Sequence, residues 1–152
     1  MIRSMLYATD LGLYAPYVMQ HALALARTFN AELYVIHVVE PIGLFAESVL
    51  QSYLDEQALT EWQSQGLTRV MATIEQRVLD SFREELGEGE QDLKLIRSVR
   101  VIQGDPCQVI LDQSQTLSVA LLIVGSHTQA AGVATPLGRT AARVLPLAPV
   151  PV

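Results

Sequence analysis

The chain has a single cysteine, Cys107, which excludes an internal disulfide framework and fits a reducing compartment. Charge is scarce: only 17% of its 152 residues are Asp, Glu, Lys or Arg, while 50% are hydrophobic, and that balance excludes intrinsic disorder. A basic face is lacking too. The formal net charge is −6, which argues against a partner with a phosphate backbone, so no nucleic acid is expected. The longest apolar runs fall well short of a bilayer's thickness, so no membrane partner is expected. The first residues, Met-Ile-Arg-Ser-Met-Leu-Tyr, lack the long apolar stretch of a secretion signal, and a cytoplasmic location follows as an expectation. There is no Walker lysine, and Ser126 has no Gly-x-Ser-x-Gly surroundings. His21, His37 and His127 lack the spacing and acidic company of a metal site. No repeat, low-complexity tract or linker divides the sequence, and one domain over residues 1–152 is expected.

The most informative stretch lies near the C-terminus. Residues 119–124 form an uninterrupted apolar run closed by Gly125, the pattern of a central parallel strand buried on both faces. A loop of small residues follows, then Thr135-Pro136, a capping residue with proline in a first helical turn. That helix would carry Leu137, Ala141, Val144 and Leu145 inward. Strand, glycine loop and helix start together predict an anion-binding geometry, because unpaired backbone N–H groups converge there.

The remaining chain alternates in type. Residues 5–9 predict a first strand ending at Asp10, and residues 14–29 a helix with Val18, Met19, Ala22, Leu23, Ala26 and Phe29 on one face. Asn30 ends that helix, and residues 32–39 predict a second strand stopped by Glu40-Pro41. Strand, helix and strand in about forty residues imply a parallel βαβ unit. Residues 42–59 show no clean period. A long helix is expected from about Thr60, with a stripe through Leu67, Val70, Met71, Ile74, Val78, Phe82 and Leu86, ending before a Gly87-Glu-Gly-Glu turn. Residues 95–103 predict a third strand. Asp105 caps, and Pro106 opens, a helix to about Thr116. The sum is an α/β chain with a single doubly wound parallel sheet, whose ligands bind at the carboxyl ends of strands.

Gly125, two residues, Thr128, nine residues, then Gly138 resembles the nucleotide loop of the universal stress protein family, G-x-x-G-(nine residues)-G-[S/T]. Thr128 replaces the middle glycine, and Arg139 stands where the family has Ser or Thr, with Thr140 one residue late. The resemblance extends over nearly the whole chain: Leu6-Tyr-Ala-Thr-Asp10 is similar to the family's first strand, His37-Val38 to its second, and Gly104-Asp-Pro to its Gly-x-Pro. It implies an adenine nucleotide alpha hydrolase-like, Rossmann-like sheet of order 3-2-1-4-5. It also implies a nucleotide site made by Ala8, Thr9 and Asp10, by Val38, by Val124, Gly125, His127 and Thr128, and by Gly138, Arg139 and Thr140. The implied ligand is ATP or AMP, with Mg²⁺ only alongside ATP. The family's fifth strand usually pairs across a homodimer, but here only Pro149-Val-Pro-Val152 stands in its place, and Pro151 cannot donate to a ladder.

Each residue also has a plainer reading. Asp10 either enters the site or caps the next helix, since both positions coincide. His37 reads as a satisfied strand histidine, His21 as surface, and His127 as a loop residue within reach of a phosphate. Cys107 reads as a small helix residue with no base beside it. Arg139 either grips a phosphate or pairs with Asp10 and fills the site. Thr128 is β-branched and resists close approach of a phosphate. The expected function is an adenine-nucleotide-binding stress sensor or regulator with an unidentified protein client and no fast catalysis. The alternative is a nucleotide-free dimeric interaction module that kept the fold. Nucleotide hydrolysis or transfer rests on fold analogy alone.

Overall fold

The structure, a computed structural model, describes residues 1–40, 67–86, 94–126 and 137–152, together with residues 49, 52 and 55–57. Within these, the apolar runs form strands β1 (Ser4–Ala8), β2 (Glu32–Val39), β3 (Ile96–Gln103) and β4 (Leu121–Val124). The helices are α1 (Ala15–Phe29), α2 (Leu67–Leu86), α3 (Pro106–Thr116) and α4 (Arg139–Val144). Every strand pair is parallel and the order is β3-β2-β1-β4, as the alternating pattern requires. One register shift separates Leu33 from Tyr34 against β3.

The fifth strand of the expected 3-2-1-4-5 order does not form, so the sheet has four strands among the described residues. The physical reason is the sequence Pro149-Val-Pro-Val152, in which two residues lack an N–H. The segment still lies along β4, where the Pro151 carbonyl accepts from the Leu122 amide at 2.9 Å. At the opposite edge the Glu75 carboxylate of α2 accepts from the Val101 amide of β3 at 3.0 Å. Each outer strand thus has an outward N–H satisfied, which lowers its tendency to pair with a stray chain.

Strand side chains alternate between two apolar layers. Met5, Tyr7, Leu33 and Val35 join Met19, Leu23, Val78 and Phe82 beneath α1 and α2. Leu6, Ile36 and Leu122 join Cys107, Ile110 and Val144 beneath α3 and α4. Tyr7 and Phe82 meet edge to face, with ring centroids 6.4 Å apart.

Local signals explain most helix ends. Asn30 takes the left-handed conformation at the end of α1 (φ 49°), where its amide bonds back to Ala26 and Arg27. Asp105 caps α3 by accepting from the Gln108 amide at 3.0 Å, with Pro106 in the first turn. Several expectations need correction. Phe29 and Val70, assigned to inward faces, are exposed. Helix α4 begins at Arg139 with Gly138 at its cap position, not from Thr135-Pro136, which lie outside the described residues. Ala141 and Val144 point inward as expected, but Leu137 is half-buried and Leu145 is exposed, since six residues make under two turns. The residues proposed to start the long helix at Thr60 and to form the turn at Gly87 also fall outside the described residues.

Candidate ligand site

The carboxyl end of β1 is tied down by short hydrogen bonds. The Thr9 amide donates to the Ile36 carbonyl at 2.9 Å and carries the β1–β2 pairing one residue past the strand. His37 Nδ1 lies 2.8 Å from the Thr9 carbonyl oxygen. A carbonyl only accepts, so Nδ1 carries the proton, and in the neutral ring Nε2 is left as an acceptor. The Thr9 hydroxyl accepts from the Leu11 amide at 3.1 Å, and Asp10 Oδ1 accepts from the Gly12 amide at 2.8 Å. These bonds bend the chain so sharply that Leu11 sits at φ 58°, a left-handed conformation that costs a non-glycine residue about 1–2 kcal/mol. Beneath the turn the Tyr7 hydroxyl reaches the Ala15 carbonyl at 3.4 Å, and burial pushes that phenol up to about 12.

The other half of the site comes from β4, α3 and α4. Gly125 ends β4 where α1 passes close by. A Cβ there would lie 3.3 Å from Val18 Cγ2, a fit tighter than ordinary contact. The Gly138 amide donates to the Ser126 carbonyl, which ties the start of α4 to the end of β4. On the α3 side, Gly104 donates to the Val39 carbonyl at 3.0 Å, and a Cβ on it would meet Val109 Cγ2 at 2.7 Å, too close to fit unmoved. Asp105 joins α3 to α4, accepting from Arg143 Nη1 at 3.1 Å and Nη2 at 3.4 Å. The Gln108 amide, and then the Arg143 guanidinium, hold the Asp105 carboxyl below its usual range. The same carboxylate raises the Arg143 pKa, with a smaller contribution from Glu40.

These pieces enclose a cavity of about 260 Å³ over the strand ends. Its floor is Ala8, Val38 and Val124, the last residues on that face of three neighbouring strands, and its far wall is Pro106, Ile110 and Ala141. Thr9, Asp10, His37, Glu40 and Thr140 supply its polar groups, and Gly125 and Gly138 its closest backbone. Eight of the eleven residues expected in a site therefore line one cavity: Ala8, Thr9, Asp10, Val38, Val124, Gly125, Gly138 and Thr140. His127 and Thr128 lie outside the described residues. Arg139 is exposed and outside that lining, and among the described residues it makes no ion pair with Asp10. Asp10 does not cap α1, whose cap position is Tyr14; its carboxylate turns back on Gly12 instead. The loop expected to carry the anion-binding amides ahead of α4, residues 127–136, lies outside the described residues, and α4 itself is six residues long.

His37, read as a satisfied strand histidine, also lines the cavity, and Glu40, Pro106, Ile110 and Ala141 were missed as lining residues. Glu40 had a signal: it is the first residue after β2, and ligands of parallel sheets sit at the carboxyl ends of strands. The other three needed the packing of α3 and α4 over the sheet, which no local pattern encodes.

The sequence profile described as "Universal stress protein family" matches residues 1–152. The chain belongs to that family. Solved universal stress proteins share its fold at low identity. The universal stress protein UspA of Lactobacillus plantarum is 18% identical with a TM-score of 0.64, covering 99% of this chain and 95% of that one. A universal stress protein from Archaeoglobus fulgidus in complex with dAMP is 16% identical with a TM-score of 0.56, covering 100% and 95%. A universal stress protein in complex with cAMP is 14% identical with a TM-score of 0.56, covering 99% and 94%. No curated protein matches the chain.

Proposed function

We propose that this universal stress protein binds an adenine nucleotide in the cavity over β1, β2 and β4 and acts as a sensor or regulator without fast turnover. The observation that carries the reading is the cavity itself, placed at the carboxyl ends of three neighbouring parallel strands where such sheets take ligands. The apolar floor of Ala8, Val38 and Val124 suits a flat base, and Asp10 keeps Oδ2 available while Oδ1 is held by Gly12. Related proteins solved with dAMP and with cAMP support the ligand class. Mg²⁺ would enter only with a triphosphate, whose oxygens it needs as ligands. The protein works as a homodimer in this reading, joined along the β4 edge where the segment around Pro151 lies. Mass spectrometry of small molecules released from freshly purified, denatured protein tests the binding, with sedimentation velocity on the same sample for the dimer. Adenine nucleotide near stoichiometry supports the reading. No adenine compound released, and no thermal shift on adding any, would return the chain to a ligand-free interaction module.

A further inference from the structure

The turn at residues 9–12 has a cavity on each side. Asp10 lines the first, over the strand ends, whereas Leu11 and Gly12 line a second of about 210 Å³, and Thr9 lines both. The second lies between the start of α1 and the last turns of α2. Its body is apolar, with the buried Ala15, Met19 and Val78 in its lining. Leu11 adds a large apolar side chain that is 38% exposed, on a backbone held left-handed at φ 58°. An apolar occupant would take that leucine surface out of water.

The polar groups of this cavity accept hydrogen bonds and have little to donate. The Leu11 amide is spent on the Thr9 hydroxyl, and the Gly12 amide on the Asp10 carboxylate. Ser81 donates its one proton to the Arg77 carbonyl at 2.9 Å, which leaves its oxygen lone pairs. Glu84, exposed near the end of α2, brings a carboxylate, an acceptor only. Among the described residues, neither Lys nor Arg lines the cavity.

We propose that this second cavity binds a small organic ammonium ion, its apolar body between Leu11, Met19 and Val78 and its N–H donors on Glu84 and Ser81. An ammonium group is all donor and positively charged, so it matches an acceptor rim that carries one carboxylate. An anion is repelled by Glu84 and meets no free donor, while a neutral alcohol keeps a hydrogen bond and loses the charge. The size sets the class further. About 210 Å³ lies below the roughly 300–1,000 Å³ of drug-sized sites, whereas an apolar cavity of about 150 Å³ holds a single benzene ring. The ligand is therefore an amine of one ring or a short alkyl chain. Its binding does not depend on whether the first cavity holds a nucleotide.

Titrating the full chain, labelled at its methionine methyls, with benzylammonium, benzyl alcohol and benzoate tests this by NMR. Benzylammonium should shift the Met19 methyl saturably, with a dissociation constant of about a millimolar, as ligands of this size give. Met71, on α2 but outside the lining, should stay in place. Benzyl alcohol should bind about three- to fivefold more weakly, the worth of one exposed ion pair, and benzoate should not saturate. Glu84→Gln, at an exposed position where folding is not at risk, should bring benzylammonium down to the level of the alcohol. A Met19 signal that does not saturate at tens of millimolar would overturn the proposal, as would benzoate binding as tightly as benzylammonium. Weakening by Glu40→Gln in place of Glu84→Gln would put the amine in the first cavity and overturn it equally.

Discussion

On one face of the sheet α1 and α2 lay down Met19, Leu23, Val78 and Phe82 as the larger apolar layer, whereas on the other α3 and α4 supply Cys107, Ile110 and Val144 and wall the cavity over the strand ends. The helices of the two faces also differ in length. Fifteen and twenty residues give α1 and α2 roughly 22 and 30 Å, against about 16 and 9 Å for the eleven and six residues of α3 and α4. A strand of eight residues spans about 26 Å, so of the four helices only α2 matches it in length. Pro106, Ile110 and Ala141 of the short pair wall the cavity, and its apolar floor of Ala8, Val38 and Val124 is left open to a ligand. One face carries stability; the other carries the strand-end site.

The largest test of that division is Phe82→Ala. Phe82 is fully buried against Tyr7, and its truncation should cost about 3–5 kcal/mol in denaturant unfolding. Ligand affinity of the folded protein should stay unchanged, while Ile110→Ala, across the sheet, should weaken it. If Phe82→Ala weakened binding as much as Ile110→Ala, the two faces would be one cooperative unit and the division would fail.

Much of this architecture was legible because each strand and helix carries its own period. Residues 32–39 and 106–116 were read with the bounds the structure has, since Glu40-Pro41 and Asp105-Pro106 punctuate them. The boundary at Thr135-Pro136 was misplaced because capping chemistry marks where a helix can start, not where packing lets it start. Phe29 and Leu145 were turned the wrong way for a related reason: a period fixes which residues share a face, but at a helix end nothing remains to cover them. In the site, the glycine spacing pointed to Gly125 and Gly138, and each has a physical role beyond any ligand. Glu40 escaped notice because it belongs to no motif, only to a place at a strand end.

A middle-sized effect sharpens the comparison on the face of α1 and α2. Tyr7 is raised from 10.0 to about 12, chiefly by burial, so the fold favours its neutral form. The sign follows: its contribution is fully present below pH 10 and is lost as pH rises from 10 to about 12. Two units correspond to roughly 2–3 kcal/mol. Tyr7→Phe should therefore unfold with a flatter pH dependence across that window than the parent chain, at a cost near neutrality of about 0.5–1.5 kcal/mol for the lost hydrogen bond. Parallel curves for the two proteins would mean that the alkaline loss comes from elsewhere.

The smallest effect belongs to the other face, at the one ion pair described between α3 and α4. Asp105 is held below its ordinary 3.8 first by the Gln108 amide and second by Arg143, both on the solvent side. A depressed carboxyl stabilises above its unfolded pKa, and that stability is lost as pH falls below it. Arg143→Gln removes the second cause and keeps the first. Urea unfolding should then show a slightly weakened protein at pH 7, a smaller difference in high salt, and a difference that shrinks as pH falls and Asp105 takes up its proton. Asp105→Asn should match it, because Asn still caps α3 without pairing to Arg143, whereas Asp105→Ala loses the cap as well and should be weaker than either. An Arg143→Gln deficit that does not shrink as pH falls below the carboxylate range would show that the side chain's stem matters more than its charge.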